Sequence, residues 1–364
     1  MNTKRKQKPT VKISWWVFVV FAVVLVGGGV VFLRVRFLKR SSSVPVAPVV
    51  VDTTPMARRW LDGIFIPTTT ASADLLPFGV MVENSADARP LSGISKAHLV
   101  WEASAEAGIT RLFAVFLSGD DVEEIGPVRS LRPYYLDFAE ELGTLVAHVG
   151  GSPEALKEVD ARGCAVLDLN EFFNGKYFWR STDRSAPHNV YTSTALLRHA
   201  HDAHRCAASP SRGYVTNSLE SWQYKEDAPL EARKAGEEVT IDFSSPLYKV
   251  TWKYNAATNE YVRFLYDELY HDKNGDEVRA KNVAVMITEM KILDDVGRRE
   301  FRTHGKGKAI VFYDGVAHNG IWERGPERTG FSFEGNTTMF NAGVTWIEVV
   351  GNARQVIYGG SASG

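Results

Sequence analysis

Residues 79–155 read GVMVENSADARPLSGISKAHLVWEASAEAGITRLFAVFLSGDDVEEIGPVRSLRPYYLDFAEELGTLVAHVGGSPEA. Apolar runs at 79–82, 98–101, 112–117 and 144–149 alternate with polar segments that hold Asn84, Arg89, Arg111, Arg129, Arg132 and His148. Short apolar runs bounded by polar turns predict buried strands. In an α/β domain the loops at strand ends share a rim, and their side chains converge there. Arginines placed beside so many strand ends predict an anion-binding rim.

Helices fill the intervals. The segment 133–142 (PYYLDFAEEL) opens with proline at a plausible first helical position and stops before Gly143. A second helix is predicted from Pro153 to Val159, with Ser152 as N-cap, and a third over 192–204. Strand and helix in alternation predict an α/β domain over 58–208.

Upstream of this domain the chain changes character. Residues 1–12 form a basic tail, and 13–33 run 21 residues with Ser14 the only polar one. At 1.5 Å per residue this length covers a ~30 Å hydrocarbon core. Trp15 and Trp16 sit where an interfacial aromatic belt falls. The expectation is an uncleaved transmembrane helix, since no small-x-small cleavage site follows closely. Residues 34–57, rich in Pro, Ser, Val and Ala, predict an extended stalk. Charge flanking the span is nearly balanced, so orientation is not fixed by it.

Apolar content of 45% and charged content of 23% are ordinary for a globular chain of 364 residues. Nine of the 42 Lys and Arg lie in residues 1–40, which hold no acid, so the rest carries about ten more acids than bases. That excess argues against nucleic acid as a partner. Cys164 and Cys206 neither demand nor exclude one disulfide.

Downstream, 209–238 reads as a connector. From Val239 the pattern turns to strands and tight turns, with Asn274-Gly275 and Asp314-Gly315 as hairpin signals. A β-rich, mostly antiparallel domain is predicted over 239–353, followed by a C-terminal tail, 354–364.

The segments VMVENSADARPLSGISKAHLVWEASAEAGITRLFAVF, IGPVRSLRPYYLDFA, HVGGSPEAL and APHNVYTST resemble the YerB-like family, a domain of unknown function in bacterial envelope lipoproteins. The stretch AKNVAVMITEMKILDDVGRREFRTHGKGKAIVFYDGVAHNGIWER and the closing GVTWIEVV resemble its second domain, so the likeness spans roughly 58–352. It implies domains facing out of the cytoplasmic membrane, with the N-terminus inside. This chain has no cysteine near its apolar segment, so a single-pass helix at 13–33 is the expected anchor. The order ITRLFAVF, IGPVRSLRP, HVGGSPEAL is also similar to LytR-CpsA-Psr phosphotransferases, which act on polyprenyl-pyrophosphate-linked glycans. In that likeness Arg111 and Arg129 match the pyrophosphate-holding arginines, but Ser130 follows Arg129 where the pattern has aspartate.

The candidate ligand-binding residues are Asn84, Arg89, Glu102, Arg111, Arg129, Arg132, His148, Ser152, Arg184, His188 and Asn189. Arg111, Arg129 and Arg132 suit a fork for phosphate or carboxylate. Equally, they suit structural pairing with Glu102, Glu106, Asp120 or Asp137. The HVGGSPE segment suits an anion at a helix N-terminus, or a plain turn. Ser152 as a hydrolase nucleophile is disfavoured, because Glu154 stands where the elbow needs its second glycine. His188 suits a general acid or base, or a loop hydrogen bond. On a helix only His201 and His204 share a face, which is thin for a metal site, and Glu277 replaces the glycine a calcium loop needs after Asp272, Asn274 and Asp276. The expectation is therefore a non-catalytic module for an anionic glycan or lipid-phosphate, without cofactor. The alternative is a phosphotransferase using Mg²⁺, for which Glu83, Glu102 and Glu106 are the acids to test.

Overall fold

The computed structural model describes residues 15–16, 54–68, 75–204, 222–325, 328–359 and 361–362. Thr54–Gly364 forms one compact unit, apart from Met1–Thr53. The expected span at 13–33 lies outside the described residues except for Trp15 and Trp16, as do the basic tail and most of the stalk. Among the described residues no helix is long and apolar enough to cross a membrane.

The α/β half supplies β1 (Pro77–Glu83), β2 (Leu99–Ser104), β3 (Thr110–Leu117), β4 (Leu145–His148) and β5 (Leu167–Asn170). Its helices are α1 (Pro133–Leu142), α2 (Pro153–Arg162), the single turn α3 (Glu171–Asn174) and α4 (Thr194–Ala203). Proline opens α1 and α2, and Gly143 ends α1 at φ 56°, a left-handed conformation that favours glycine.

The C-terminal half is β-rich and mostly antiparallel. It contributes β6 (Gln223–Lys225), β7 (Val239–Asp242), β8 (Lys249–Asn255), β9 (Glu260–Leu265) and β10 (Asn282–Ile287). After these come β11 (Gly305–Tyr313), β12 (Val316–Arg324), β13 (Gly330–Phe333), β14 (Asn336–Thr337), β15 (Met339–Asn341), β16 (Thr345–Val350) and β17 (Val356–Tyr358). Asp314-Gly315 makes the two-residue turn between β11 and β12, with both residues at positive φ. Two stretches differ from expectation: the connector holds strand β6, and the C-terminal tail holds β17, whose buried Val356 anchors it against β7.

One sheet crosses both halves. Eleven strands run in the order β14-β13-β12-β11-β10-β16-β2-β3-β1-β4-β5. The seam is the parallel pair β16–β2, in which Glu348 sits opposite Glu102. Side chains alternate across it. Met81, Trp101, Phe113 and Ile347 pack against α1 and α2, whereas Val80, Val82, Val100 and Leu112 face α4 and the second sheet. That second sheet of seven strands is built around β9-β8-β7-β17.

Candidate functional site

The rim forms where β1 and β4 part. These parallel strands pair from Phe78 and Leu145 only as far as Val80 and Ala147. Beyond that point the segment 128–131 fills the gap: Arg129 N–H donates to Met81 O at 2.7 Å, and Val149 N–H donates to Arg129 O at 3.1 Å. The inserted chain thereby places Arg129 beside Glu83, the last residue of β1. In parallel sheets the space outside the carboxyl ends of strands is the usual place for a ligand.

Glu83 is the hub, and its side chain is 5% accessible. Ser85 Oγ donates to its Oε1 at 3.0 Å, and Arg129 Nε lies 3.4 Å from the same oxygen. His188 Nδ1 lies 2.9 Å from Oε2. Arg129 is 28% accessible, and its terminal nitrogens make no hydrogen bond among the described residues. Burial pulls its pKa down, Glu83 pushes it up, and nearby Arg111 pulls it down again. A guanidinium stays charged under such perturbation. The Nε2 of His188 likewise meets no protein partner among the described residues.

Next to this hub Glu106, in the turn between β2 and β3, bridges two further arginines. Arg111 donates through one terminal nitrogen to Glu106 Oε2 at 3.3 Å and through the other to Ser130 O at 2.8 Å. Arg132 pairs with Glu106 Oε1 and donates to Leu131 O at 2.5 Å. Arg111, Arg129 and Arg132 therefore gather on the α1 side of the sheet, and two carboxylates separate them. Three guanidinium groups thus face two carboxylates, and Arg129 is the one whose terminal nitrogens stay open among the described residues.

The other candidates do not join this group. Asn84 follows Glu83 and faces the opposite side of the sheet, where it donates to Glu102 Oε1 at 3.0 Å and Thr110 Oγ1 at 2.7 Å. Arg89 Nε donates to Asn84 Oδ1 at 3.1 Å, and its guanidinium also reaches Leu247 O. Fully buried Glu102 accepts from Arg263 at 2.6 Å. These three tie the two sheets together. His148 is buried with both nitrogens engaged, one with Gly150 O at 2.7 Å and the other with Asp168 Oδ1 at 2.6 Å. Ser152 accepts from Ala155 N–H as the N-cap of α2. Arg184 donates to Asp87 O and Pro90 O, and Asn189 bonds Arg180 and Ser181 O.

Among the described residues no group of three or more His, Cys, Asp or Glu converges as metal ligands. His201 and His204 pack on Phe78 and Tyr177, and Cys206 lies outside the described residues. Asp272 accepts from Gly93 and Ser95 N–H, which fixes the turn at Gly275. A shallow cavity of about 410 Å³ lined by Ser95, Lys96, Asp276 and Arg279 is separate from the rim residues. The sequence offers Glu83 only as an acid for the alternative chemistry, whereas Glu106 is also among the expected structural partners of the arginines and does pair with Arg111 and Arg132. The role of Glu83 follows from the strand register, which places it opposite Arg111.

Residues 66–207 match the N-terminal domain of the protein of unknown function DUF3048, and 239–347 match its C-terminal domain. The chain belongs to the DUF3048 family. A Bacillus subtilis (strain 168) member named "Putative lipoprotein YerB" is 31% identical over 284 residues, covering 75% of this chain and 81% of that protein. The crystal structure of the Bacillus subtilis YerB protein superposes with a TM-score of 0.72 at 27% identity, over 83% of this chain and 99% of that one. Both family domains thus fall within the one compact unit, and the rim belongs to the N-terminal one. No similarity to LytR-CpsA-Psr proteins emerges.

Proposed function

We propose that the chain is a membrane-held, extracytoplasmic binding module that receives an anionic group of an envelope ligand at Arg129 and His188. The observation that carries this reading is the arginine itself: a half-buried guanidinium with open donors at the carboxyl ends of parallel strands. Glu83 positions Arg129 and His188 from its two oxygens, so their free nitrogens serve one oxyanion with charge-assisted hydrogen bonds.

Placement outside the cytoplasm is supported by three features. The apolar run at 13–33 is long enough to span. Cys164 is disulfide-bonded, which fits an oxidising compartment. The relative described above carries a lipoprotein name. A helix in place of a lipid is the anchor here, since no cysteine lies near the apolar run.

The test uses the full chain in detergent, with sugar 1-phosphates as probes and the neutral sugars as controls. The phosphates raise the melting temperature, and Arg129→Ala removes that rise while leaving the ligand-free melting temperature within about 1–2 °C, because a partly exposed ion pair contributes about 0–1 kcal/mol. Equal shifts in variant and wild type, or unfolding of the variant, would overturn the reading. The open Nε2 of His188, backed by Glu83, favours a second reading in which this histidine is a general base on the bound phosphoryl compound. Turnover of a probe that is lost in His188→Gln would select it.

A further inference from the structure

A second polar cluster lies in the C-terminal half. Strands β6 and β15 pair in parallel, and their register sets Lys225 opposite Asn341. Lys225 Nζ lies 2.5 Å from Asn341 Oδ1 and 2.5 Å from Asp314 Oδ2. The other oxygen of Asp314 accepts from Asn341 Nδ2 at 2.8 Å and from Asn259 Nδ2 at 2.7 Å. Asn341 is fully buried, and its main chain is fixed on both sides by Asn282. The ring of Tyr313 lies beneath the amine, 5.1 Å from Nζ. An amine, a side-chain amide and a carboxylate touching both are thus held by paired strands and a tight turn.

We propose that Lys225 and Asn341 become joined by an intramolecular isopeptide bond, with Asp314 carrying the protons. Asp314 Oδ2 takes a proton from the Lys225 ammonium, and the freed Nζ attacks Cγ of Asn341. The carboxyl group, which can carry the proton on either oxygen, gives it to Nδ2 from the Oδ1 side. A second proton leaves Nζ of the adduct by the same route, so two protons in all pass from Nζ to Nδ2. The C–N bond to Nδ2 breaks as the new Nζ–Cγ amide forms. Of the five hydrogens on the two nitrogens, the new amide keeps one and the departing ammonium takes four, and Asp314 ends ionised as it began. No oxidant or cofactor enters.

An unactivated amide is a poor electrophile, so the reaction depends on placement. Well-oriented groups react as if at effective concentrations of about 10⁵–10⁸ M. A lysine nucleophile also needs a base to deprotonate it. Asp314 is pushed up by burial, but hydrogen bonds from Lys225, Asn259 and Asn341 outweigh this and hold it below the usual carboxylate range. Taking the lysine proton is therefore uphill, and the bond forms slowly, once per molecule, after folding. Lys225 retains 27% side-chain accessibility, which leaves ammonia a way out.

The bond is read directly in the mass of the full chain purified in detergent. The expected result is a mass one ammonia, about 17 Da, below that of the disulfide-bonded sequence. Proteolysis should also yield the Lys225 peptide linked to the Asn341 peptide. Asp314→Asn keeps a residue that tolerates positive φ in the turn but removes the proton carrier, so its full mass should return. A wild-type mass equal to the sequence overturns the proposal, and this needs no variant to fold. Loss of about 18 Da with a Lys225–Asp314 link also overturns it, because the bond would then be a different one. Neither result bears on the Arg129 rim.

Discussion

Glu348 and Glu102 face each other on adjacent parallel strands, with Arg263 of the second sheet between them. Arg263 donates to Glu102 at 2.6 Å and reaches Glu348 at 3.3 Å, and all three side chains are at most 1% accessible. One guanidinium cannot neutralise two buried carboxylates. Trp252 Nε1 donates to Glu348 Oε1 at 2.7 Å, while Oε2 has no hydrogen-bond partner among the described residues. Burial first, then the charge of Glu102, push the Glu348 pKa up, and Arg263 and Trp252 offset only part of that. The folded chain therefore keeps a proton that the unfolded chain releases near the ordinary carboxyl range. Stability then falls as pH rises from that range towards the raised one. Glu348→Gln, which mimics the protonated form, should flatten this decline in urea midpoint between about pH 5 and 8 while changing little at pH 5. Parallel pH profiles for variant and wild type would mean that Glu348 is ionised in the fold.

At the scale of elements, the three expected helices were legible because their ends carry local chemistry, whereas the single turn α3 was not among the expectations. Proline and glycine bracket α1 as expected, and Ser152 opens α2. The gathering of Arg111, Arg129 and Arg132 was legible too, since strand ends in such a pattern share a rim. Side-chain parity was not. Glu83 and Asn84 are neighbours, yet one meets Arg129 and the other Glu102 on the far face. A shift of one residue in register exchanges the two faces, and nothing local in the sequence sets it. Ser152 illustrates the same ambiguity for roles, because a cap and an anion site look alike in sequence. Here the hydroxyl accepts from Ala155 N–H at 3.3 Å and points along its own helix. Ser152→Ala should therefore cost about 1 kcal/mol of stability and leave the phosphate-dependent melting shift intact. Loss of that shift with stability unchanged would return Ser152 to the ligand site.

Across the whole molecule, two halves that look separable in sequence share one sheet. The boundary was invisible because β16 returns from the far end of the chain to lie between β10 and β2, and parallel pairing over such a separation leaves no local signature. If the halves were independent, each would close its own core. Instead, removing the C-terminal half would strip β16 from β2, expose that strand's backbone edge, and uncover Trp101 and Glu102 in the layers on either side. Glu102 would also lose Arg263, and breaking a buried pair from one side costs about 3–5 kcal/mol. That cost alone is a large fraction of the ~5–15 kcal/mol that stabilises a typical domain. The compact unit from Thr54 onward should consequently unfold in a single transition, with calorimetric and van't Hoff enthalpies equal, and a fragment ending near residue 204 should not fold. Two resolved transitions, or a folded fragment, would show that the seam between β2 and β16 joins two domains that are already stable without it.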